Sequence, residues 1–315
     1  MKILVAGGAG FIGSHLVERL VLRGDQVTVI DDLSSGREVN LSLIKDKITF
    51  VKSDISDYET KESFDVIINL ASRASRKEWE TFPVGVALSN SIGNNNLIKI
   101  ALNSNARYIF ASTSEVYGDP EVVPTPESYI GRVSSVGSRS PYDESKRFGE
   151  ALVKAYEREY KLDSVIIRFF NTYGPRMRGG DLYGRVLDRF IKQALCSKSL
   201  TVYGDGSQTR SFTHVSDTVT AILMLMSNGK SGEIYNVGND KEISIIEIAN
   251  LIKNVMNSGS EISFESLPPD DPRRRAADIS KVEKLGWRPK VELSDGVLTM
   301  IEYEMEHSTK SLQGE

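Results

Sequence analysis

The sequence predicts an α/β fold: a doubly wound parallel sheet with a smaller, discontinuous α/β unit attached. Three observations predict it. Short apolar runs recur as buried strands and alternate with helical patterns. A glycine-rich turn joins the first strand to the first helix, and the second strand ends in a pair of acids. Length agrees, because 315 residues with 40% hydrophobic content can bury a large core and a second, smaller one.

The first strand is 2–6, with the run Ile3-Leu4-Val5, and Gly7-Gly8-Ala9-Gly10-Phe11-Ile12-Gly13 follows it. Ile12, Leu16, Val17 and Leu20 then recur at helical spacing until Gly24 stops the helix. Residues 27–30 form the second strand and run into Asp31 and Asp32. Later strands are expected at 49–52, 66–70, 108–111 and 164–169, and helices over 90–102 and 142–160. Beyond Pro175 come Gly179-Gly180, a helix from about Val186, a strand at 200–203 and a glycine turn. Residues 1–170, rejoined by 212–240, are expected to form a Rossmann-type unit, with 171–211 and 241–315 forming the second. The stretch 258–272, rich in Ser, Pro and acids, reads as a loop over the site, and the tail after His307 as disordered.

Glycine is needed at the first turn because a side chain would block the tight bend, the approach of backbone to a pyrophosphate, or helix-on-strand packing. Free amides at the helix start and the positive end of its dipole then face phosphate. Gly7, Gly10, Phe11, Ile12 and Gly13 are therefore candidate cofactor contacts, as are Asp31 and Asp32. Asp31 is placed to accept from adenosine ribose hydroxyls, which favours NAD over NADP; Arg37, just beyond, leaves NADP open.

A net charge of -4 gives no reason to expect a nucleic acid partner, and Arg273-Arg274-Arg275 is too short for a basic tract. One cysteine excludes an internal disulfide; Cys196, near Phe190, Ile191 and Leu195, reads as core packing. His15, His214 and His307 are scattered, so no metal site is expected. No apolar run approaches membrane-spanning length, and the glycine turn interrupts the first apolar stretch too early for a signal peptide, which makes a soluble cytoplasmic protein the default.

Ser112-Thr113-Ser114-Glu115-Val116-Tyr117-Gly118 follows the strand at 108–111 and so sits at its carboxyl end, where open α/β sheets place ligands. Tyr142 and Lys146 share a helix face four residues apart. An ammonium near the phenol, with a positively charged nicotinamide, favours phenolate, which acts as a base. Thr113 is placed to donate to the substrate oxygen or the tyrosine, and Lys146 also to hold the nicotinamide ribose.

These stretches, with Asn171-Thr172-Tyr173-Gly174-Pro175-Arg176-Met177, LTVYGDGSQTRSF over 200–212 and Asp270-Asp271-Pro272-Arg273-Arg274-Arg275, resemble the extended short-chain dehydrogenase/reductase family that acts on nucleotide sugars. The resemblance spans nearly the whole chain, and the spacing Gly7-x-x-Gly10-x-x-Gly13 is of that family's kind. Within it the UDP-glucuronate decarboxylase (UDP-xylose synthase) branch is the most similar. The resemblance implies a catalytic trio of Thr113, Tyr142 and Lys146. It implies UDP-sugar contacts at Asn171, Arg176, Tyr203, Arg210 and Arg275, with Asp54 and Ile55 bordering the adenine and Leu70, Ala71, Asn90 and Ser112 along the cofactor. It also implies a homodimer built on the helices at 90–102 and 142–160, whose apolar residues are equally open to intramolecular packing. A tyrosine such as Tyr203 stacks on uracil and guanidiniums grip a diphosphate; a surface salt bridge for Arg176 or Arg210, or strand packing for Tyr203, is the plainer alternative.

All members of this family begin by oxidising C4 of the sugar with NAD. A C6 carboxylate is then beta to a ketone and leaves as carbon dioxide; protonation at C5 and return of the hydride give UDP-xylose. Ser114, Glu115 and Arg275 are the expected helpers. A 4,6-dehydratase acting on dTDP-glucose has Asp where this chain has Ser114, and serine is a poor proton donor. A 4-epimerase, acting on UDP-glucuronate or UDP-glucose, usually carries small residues at 114 and 115, against Glu115 here. A non-catalytic NAD-sensing protein is the remaining alternative, and the intact trio argues against it. The loop Asn69-Leu70-Ala71-Ser72-Arg73-Ala74-Ser75-Arg76 departs from the decarboxylase pattern, which has His first and prolines around its Ala-Ser pair; Arg73 and Arg76 either pair with a substrate carboxylate or are solvated. The segment 178–183 is longer than usual for the branch.

Overall fold

Seven parallel strands, in the order β3-β2-β1-β4-β5-β6-β11, form the central sheet. A computed structural model describes residues 1–177, 186–266 and 273–312. The sheet strands are β1 (Lys2–Ala6), β2 (Gln26–Asp31), β3 (Ile48–Lys52), β4 (Val66–Asn69), β5 (Arg107–Thr113), β6 (Ser164–Phe169) and β11 (Glu233–Val237). Short strands β7 (Thr172–Tyr173), β8 (Leu200–Tyr203), β9 (Thr209–Arg210), β10 (Thr213–His214), β12 (Ile243–Ser244) and β13 (Ile262–Glu265) pair as β10-β7, β12-β9 and β13-β8. The helices are α1 (Phe11–Leu22), α2 (Arg76–Thr81), α3 (Pro83–Leu88), α4 (Asn94–Ser104), α5 (Ser140–Tyr160), α6 (Val186–Leu195), α7 (Val215–Asn228), α8 (Ile245–Val255), α9 (Ser280–Glu283) and α10 (Leu293–Leu312).

Both faces of the sheet are covered at its centre, so β1 and β4 read as nearly continuous apolar runs instead of alternating with polar residues. Ile3, Leu4, Val5 and Ala6 are all fully buried. Side chains still alternate between faces: Ile3, Val5 and Ile109 join one cluster with Leu16, Val17 and Ile222, while Leu4, Tyr108 and Phe110 join another with Leu97, Ile98 and Val153. Thus α1 and α7 cover one side and α4 and α5 the other. A third cluster, with Phe190, Ile191, Val202, Ile248, Ile252 and Val297, holds α6, α8 and α10 around β8.

The chain winds outward from β1 through β2 to β3, then returns to place β4 on the other side of β1. That reversal leaves a crevice beyond the carboxyl ends of β1 and β4, where open α/β sheets bind ligands.

Three local expectations are corrected. Within 258–272, β13 pairs in parallel with β8; the partner that makes it a strand lies sixty residues away and leaves no local trace, and 267–272 lie outside the described residues. The chain after His307 stays helical to Leu312, and one turn earlier His307 stacks on Tyr303 at 4.0 Å between centroids. Cys196 is exposed, because α6 buries Leu187, Ile191 and Ala194 at i, i+4 and i+7 and the cysteine falls off that stripe, past the helix end. Gly179, Gly180 and the longer segment at 178–183 lie outside the described residues. Among the described residues no helix is long and apolar enough to cross a membrane, and no group of three or more His, Cys, Asp or Glu is placed to hold a metal ion.

Candidate active site

A cavity of about 600 Å³ runs along the carboxyl ends of the sheet and on to α6, β8 and β9. At one end the turn after β1 opens into it. Gly7 has φ +77°, and a Cβ there would lie 2.7 Å from the Ala71 amide nitrogen; a Cβ on Gly13 would run into the Gly7 carbonyl. The backbone therefore packs more closely than any side chain allows. Helix α1 begins with no side-chain cap and no acid in its first turn, so its free amides and dipole remain available to an anion. Gly7, Gly10, Phe11, Ile12 and Gly13 all line the cavity here.

Asp31 ends β2 against this turn. Its carboxylate accepts from the amides of Ala9 and Leu33, each at 2.9 Å, and burial nonetheless pushes its pKa up. Asp32, Asp54, Ile55, Leu70 and Ala71 also line the cavity. These residues fit a dinucleotide: a backbone cradle and an uncapped helix start for a pyrophosphate, and acids a strand away for a ribose.

The other end is built from β5 and α5. Ser112, Thr113, Ser114 and Glu115 line the cavity, with Tyr142 and Lys146 facing the same space. Thr113 Oγ1 accepts from the Glu115 amide at 3.2 Å, which turns the chain sharply as the strand ends. Lys146 is buried; its Nζ donates to the Ala111 carbonyl at 2.8 Å and lies 6.0 Å from the Tyr142 ring centroid. Burial lowers its pKa to about 7, with Glu150, one turn further on, pulling in the opposite direction.

Glu150 is itself held. Arg168 on β6 grips it at 2.9 and 2.7 Å, and Ser112 donates to it as well. Arg168 then donates to Tyr117, whose hydroxyl donates to Asn236 on β11 at 2.7 Å. A buried polar chain therefore joins the base of α5 to three adjacent strands.

Glu115 is clasped by two guanidiniums. Arg275 binds it through both terminal nitrogens, one at 3.1 Å, and Arg139 reaches it from the start of α5. Asp143 stands 3.5 Å behind Arg139, with Oδ1 buried and unpartnered. Burial raises its pKa to about 6, opposed by Arg139 and Arg275.

The cavity also brings in Asn171, Tyr203 and Arg210. It does not bring in three residues that the sequence suggested. Arg176 turns back to Glu18 on α1 at 2.6 Å, Asn90 donates to Ser145 on α5 at 3.0 Å, and Arg275 reaches Glu115 at the cavity edge. Arg73, which does line it, pairs with Asp32 at 3.4 Å; the Arg76 side chain lies outside what is described. Sequence reasoning missed Trp79, Arg139 and Arg189. Trp79 stacks on Tyr142, Arg139 lies 5.5 Å over Trp79, and Arg189 lies 4.6 Å over the Tyr203 ring. For Arg139 a signal existed: three residues before Tyr142, it falls within one turn of the tyrosine.

The sequence pattern of the NAD dependent epimerase/dehydratase family matches residues 3–238. The UDP-glucuronic acid decarboxylase 1 of Xenopus tropicalis is 43% identical over 316 residues, covering 98% of this chain and 74% of that one. Among solved structures, the UDP-glucose 4-epimerase of Thermotoga maritima, with UDP-glucose, superposes with a TM-score of 0.90 at 32% identity, covering 98% of this chain and 100% of that one. The UDP-glucuronic acid 4-epimerase of Bacillus cereus, in complex with UDP-glucuronic acid and NAD, gives 0.86 at 30% identity with the same coverage.

The buried Asp143 predicts a pH signature. Its folded pKa, about 6, lies above the ordinary value near 4, so the native state holds an extra proton between those two values and the cost of ionising the group is complete above about pH 6. Asp143→Asn should therefore be close to neutral below about pH 4 and stabilising by about 2–3 kcal/mol at pH 7.5. Denaturant unfolding at the two pH values measures this; an equal effect at both would contradict it.

Proposed function

The chain belongs to the NAD dependent epimerase/dehydratase family, and from that premise we propose that it is a UDP-glucuronate decarboxylase that makes UDP-xylose. The observation that carries the proposal is Glu115, set between Arg139 and Arg275 beside Thr113 and Tyr142. The Arg139 guanidinium, which lines the cavity beside Thr113 and Tyr142 with Arg275 behind Glu115 at its edge, suits a substrate with an exocyclic carboxylate. The identity to curated decarboxylases, 43% for the Xenopus protein against 30% for the Bacillus epimerase structure, supports the same choice.

NAD, when bound, accepts hydride from C4 of the sugar and gives it back at the end of the cycle. Gly7, Gly10, Phe11, Ile12 and Gly13 would hold its pyrophosphate, Asp31 and Asp32 its adenosine ribose, Asp54 and Ile55 its adenine, and Ser112 and Lys146 its nicotinamide half. Tyr142 takes the proton of the 4-hydroxyl as the C4–H bond breaks, leaving a C4 ketone beta to the C6 carboxylate. The C5–C6 bond then cleaves, its electron pair passes into the enolate, and carbon dioxide departs. Thr113 donates to the C4 oxygen throughout. Ser114 and Glu115 are assigned to the C5–C6 side of the sugar, and a proton drawn from solvent adds to C5 of the enolate as the C4 ketone re-forms. Tyr142 finally gives its proton back to the C4 oxygen, so no net redox change occurs. Asn171, Tyr203 and Arg210, which line the cavity, are assigned to the UDP moiety, within a unit formed by 171–211 and 241–315 beside the NAD-binding residues 1–170 and 212–240.

Epimerisation at C4 of the same uronate is the second reading, and the likeness to the Bacillus cereus structure favours it. It shares every step up to the ketone and omits the bond cleavage. With one cysteine in 315 residues, a reducing cytoplasmic location goes with the proposal.

A homodimer is also proposed. Val84, Leu88, Ile92 and Phe148 are exposed on α3, the turn after it and α5, which pack side by side. Four large exposed apolar residues on elements that pack together suit a second copy of the chain. Light scattering should give twice the 34.9 kDa chain mass, and Phe148→Glu should shift it towards the single chain; a wild-type monomer would refute the dimer.

Purified protein given NAD and UDP-glucuronate should yield UDP-xylose by chromatography. UDP-galacturonate as sole product would instead establish epimerisation, and turnover confined to UDP-glucose would remove the acid substrate. Tyr142→Phe should lose at least about 100-fold in kcat while still binding NAD; a near-normal rate would remove the phenol from its role.

A further inference from the structure

Trp79 lies against the ring on which proton transfer depends. We propose that it is a positioning residue for Tyr142, its indole fixing the orientation of the phenol and shielding one face of it from water. The proposal rests on Tyr142 being the base. The two rings lie 4.6 Å apart between centroids and 14° from parallel, and both are buried, in one cluster with Val86.

The indole is fixed in turn from its own side. Its Nε1 donates to the Arg73 carbonyl at 3.0 Å, and the Arg139 guanidinium lies 5.5 Å from its ring centroid. Ser75 caps the short helix α2 that carries it, accepting from the Glu78 amide. The Arg73 side chain crosses to Asp32, at the end of β2. The segment 73–79 is therefore tied at one end to the rim of the cofactor cradle and at the other to the catalytic ring. Arg139 adds a second tie, because it also holds Glu115.

A phenol near the start of a helix keeps rotational freedom that its backbone does not remove. Offset stacking on a broad ring restricts that freedom to a plane. Proton abstraction depends steeply on such alignment, since a misplacement of about 1 Å costs on the order of 100-fold in rate. A flat aromatic surface supplies the restriction; apolar volume alone does not. Trp79 thus acts through Tyr142.

The test is steady-state kinetics on UDP-glucuronate with Trp79→Phe, Trp79→Leu and Trp79→Ala, with Tyr142→Phe as reference. Leu and Ala should lower kcat by about 10- to 100-fold while KM stays within about threefold and NAD affinity is unchanged. Phe, which keeps a flat face, should recover to within about fivefold of wild type. Leu performing as well as Phe would reduce Trp79 to a space-filler, and a raised KM at constant kcat would make it a sugar contact; either overturns the proposal. An active Tyr142→Phe would instead remove the base itself. An inactive Tyr142→Phe beside unaffected Trp79 variants would remove only the positioning role.

Discussion

The site depends on how α5 is seated on the sheet. Most helices in such folds meet a sheet with an apolar stripe, but α5 also buries Lys146 and Glu150, which sit one turn apart on its inner side. Each is matched to a fixed partner. Lys146 binds the Ala111 carbonyl of β5, and Glu150 binds Arg168 of β6 and Ser112 of β5. Gly149 lets the helix approach, since a Cβ there would lie 2.5 Å from Phe110. Removing one partner of a buried ion pair typically costs about 3–5 kcal/mol, so sliding α5 by one residue would forfeit several contacts at once. The register of Tyr142 against Thr113 follows from that penalty.

Burial serves the chemistry as well as the register. A lysine in water is charged, whereas Lys146 is held down to about 7 by burial and responds to a negative neighbour. Glu150 cannot fully compensate it, because Arg168 already claims that carboxylate at 2.9 and 2.7 Å. A phenolate or a ribose hydroxyl brought to the Lys146 side chain thus meets a group that gains by interacting with it. Similar logic governs the far wall, where Glu115, Arg139, Arg275 and Asp143 bring opposite charges together from the turn after β5, the start of α5 and the segment around 275. These groups converge because the reversal of winding at β1 and β4 leaves the strand ends uncovered.

Much of this was legible in sequence wherever a local pattern carries the physics. The apolar strands, the Gly7–Gly13 turn, the acid at the end of β2 and the Tyr142–Lys146 spacing each depend on neighbours within a few residues. What escaped depends on contacts between distant segments. Trp79 carries no motif, and its partner Tyr142 is sixty-three residues away. Arg139 shares a helical turn with Tyr142, but its contacts to Glu115 and Trp79 join segments far from it in sequence. Arg176 sits in a telling motif, yet with φ +65° it bends back to Glu18 instead of entering the cavity. Asn90 belongs to the packing of α5, one residue from Ser89, which does line the cavity. The strand β13 was hidden for the same reason: its ladder is provided by β8.

Decarboxylation is the central claim, and the fate of C6 and C5 tests it most directly. UDP-glucuronate labelled with carbon-13 at C6, turned over with NAD in heavy water, should release labelled carbon dioxide in a one-to-one ratio with UDP-xylose that carries a single deuterium at C5. A product that keeps the label at C6, with hydrogen at C5 unexchanged, would contradict it.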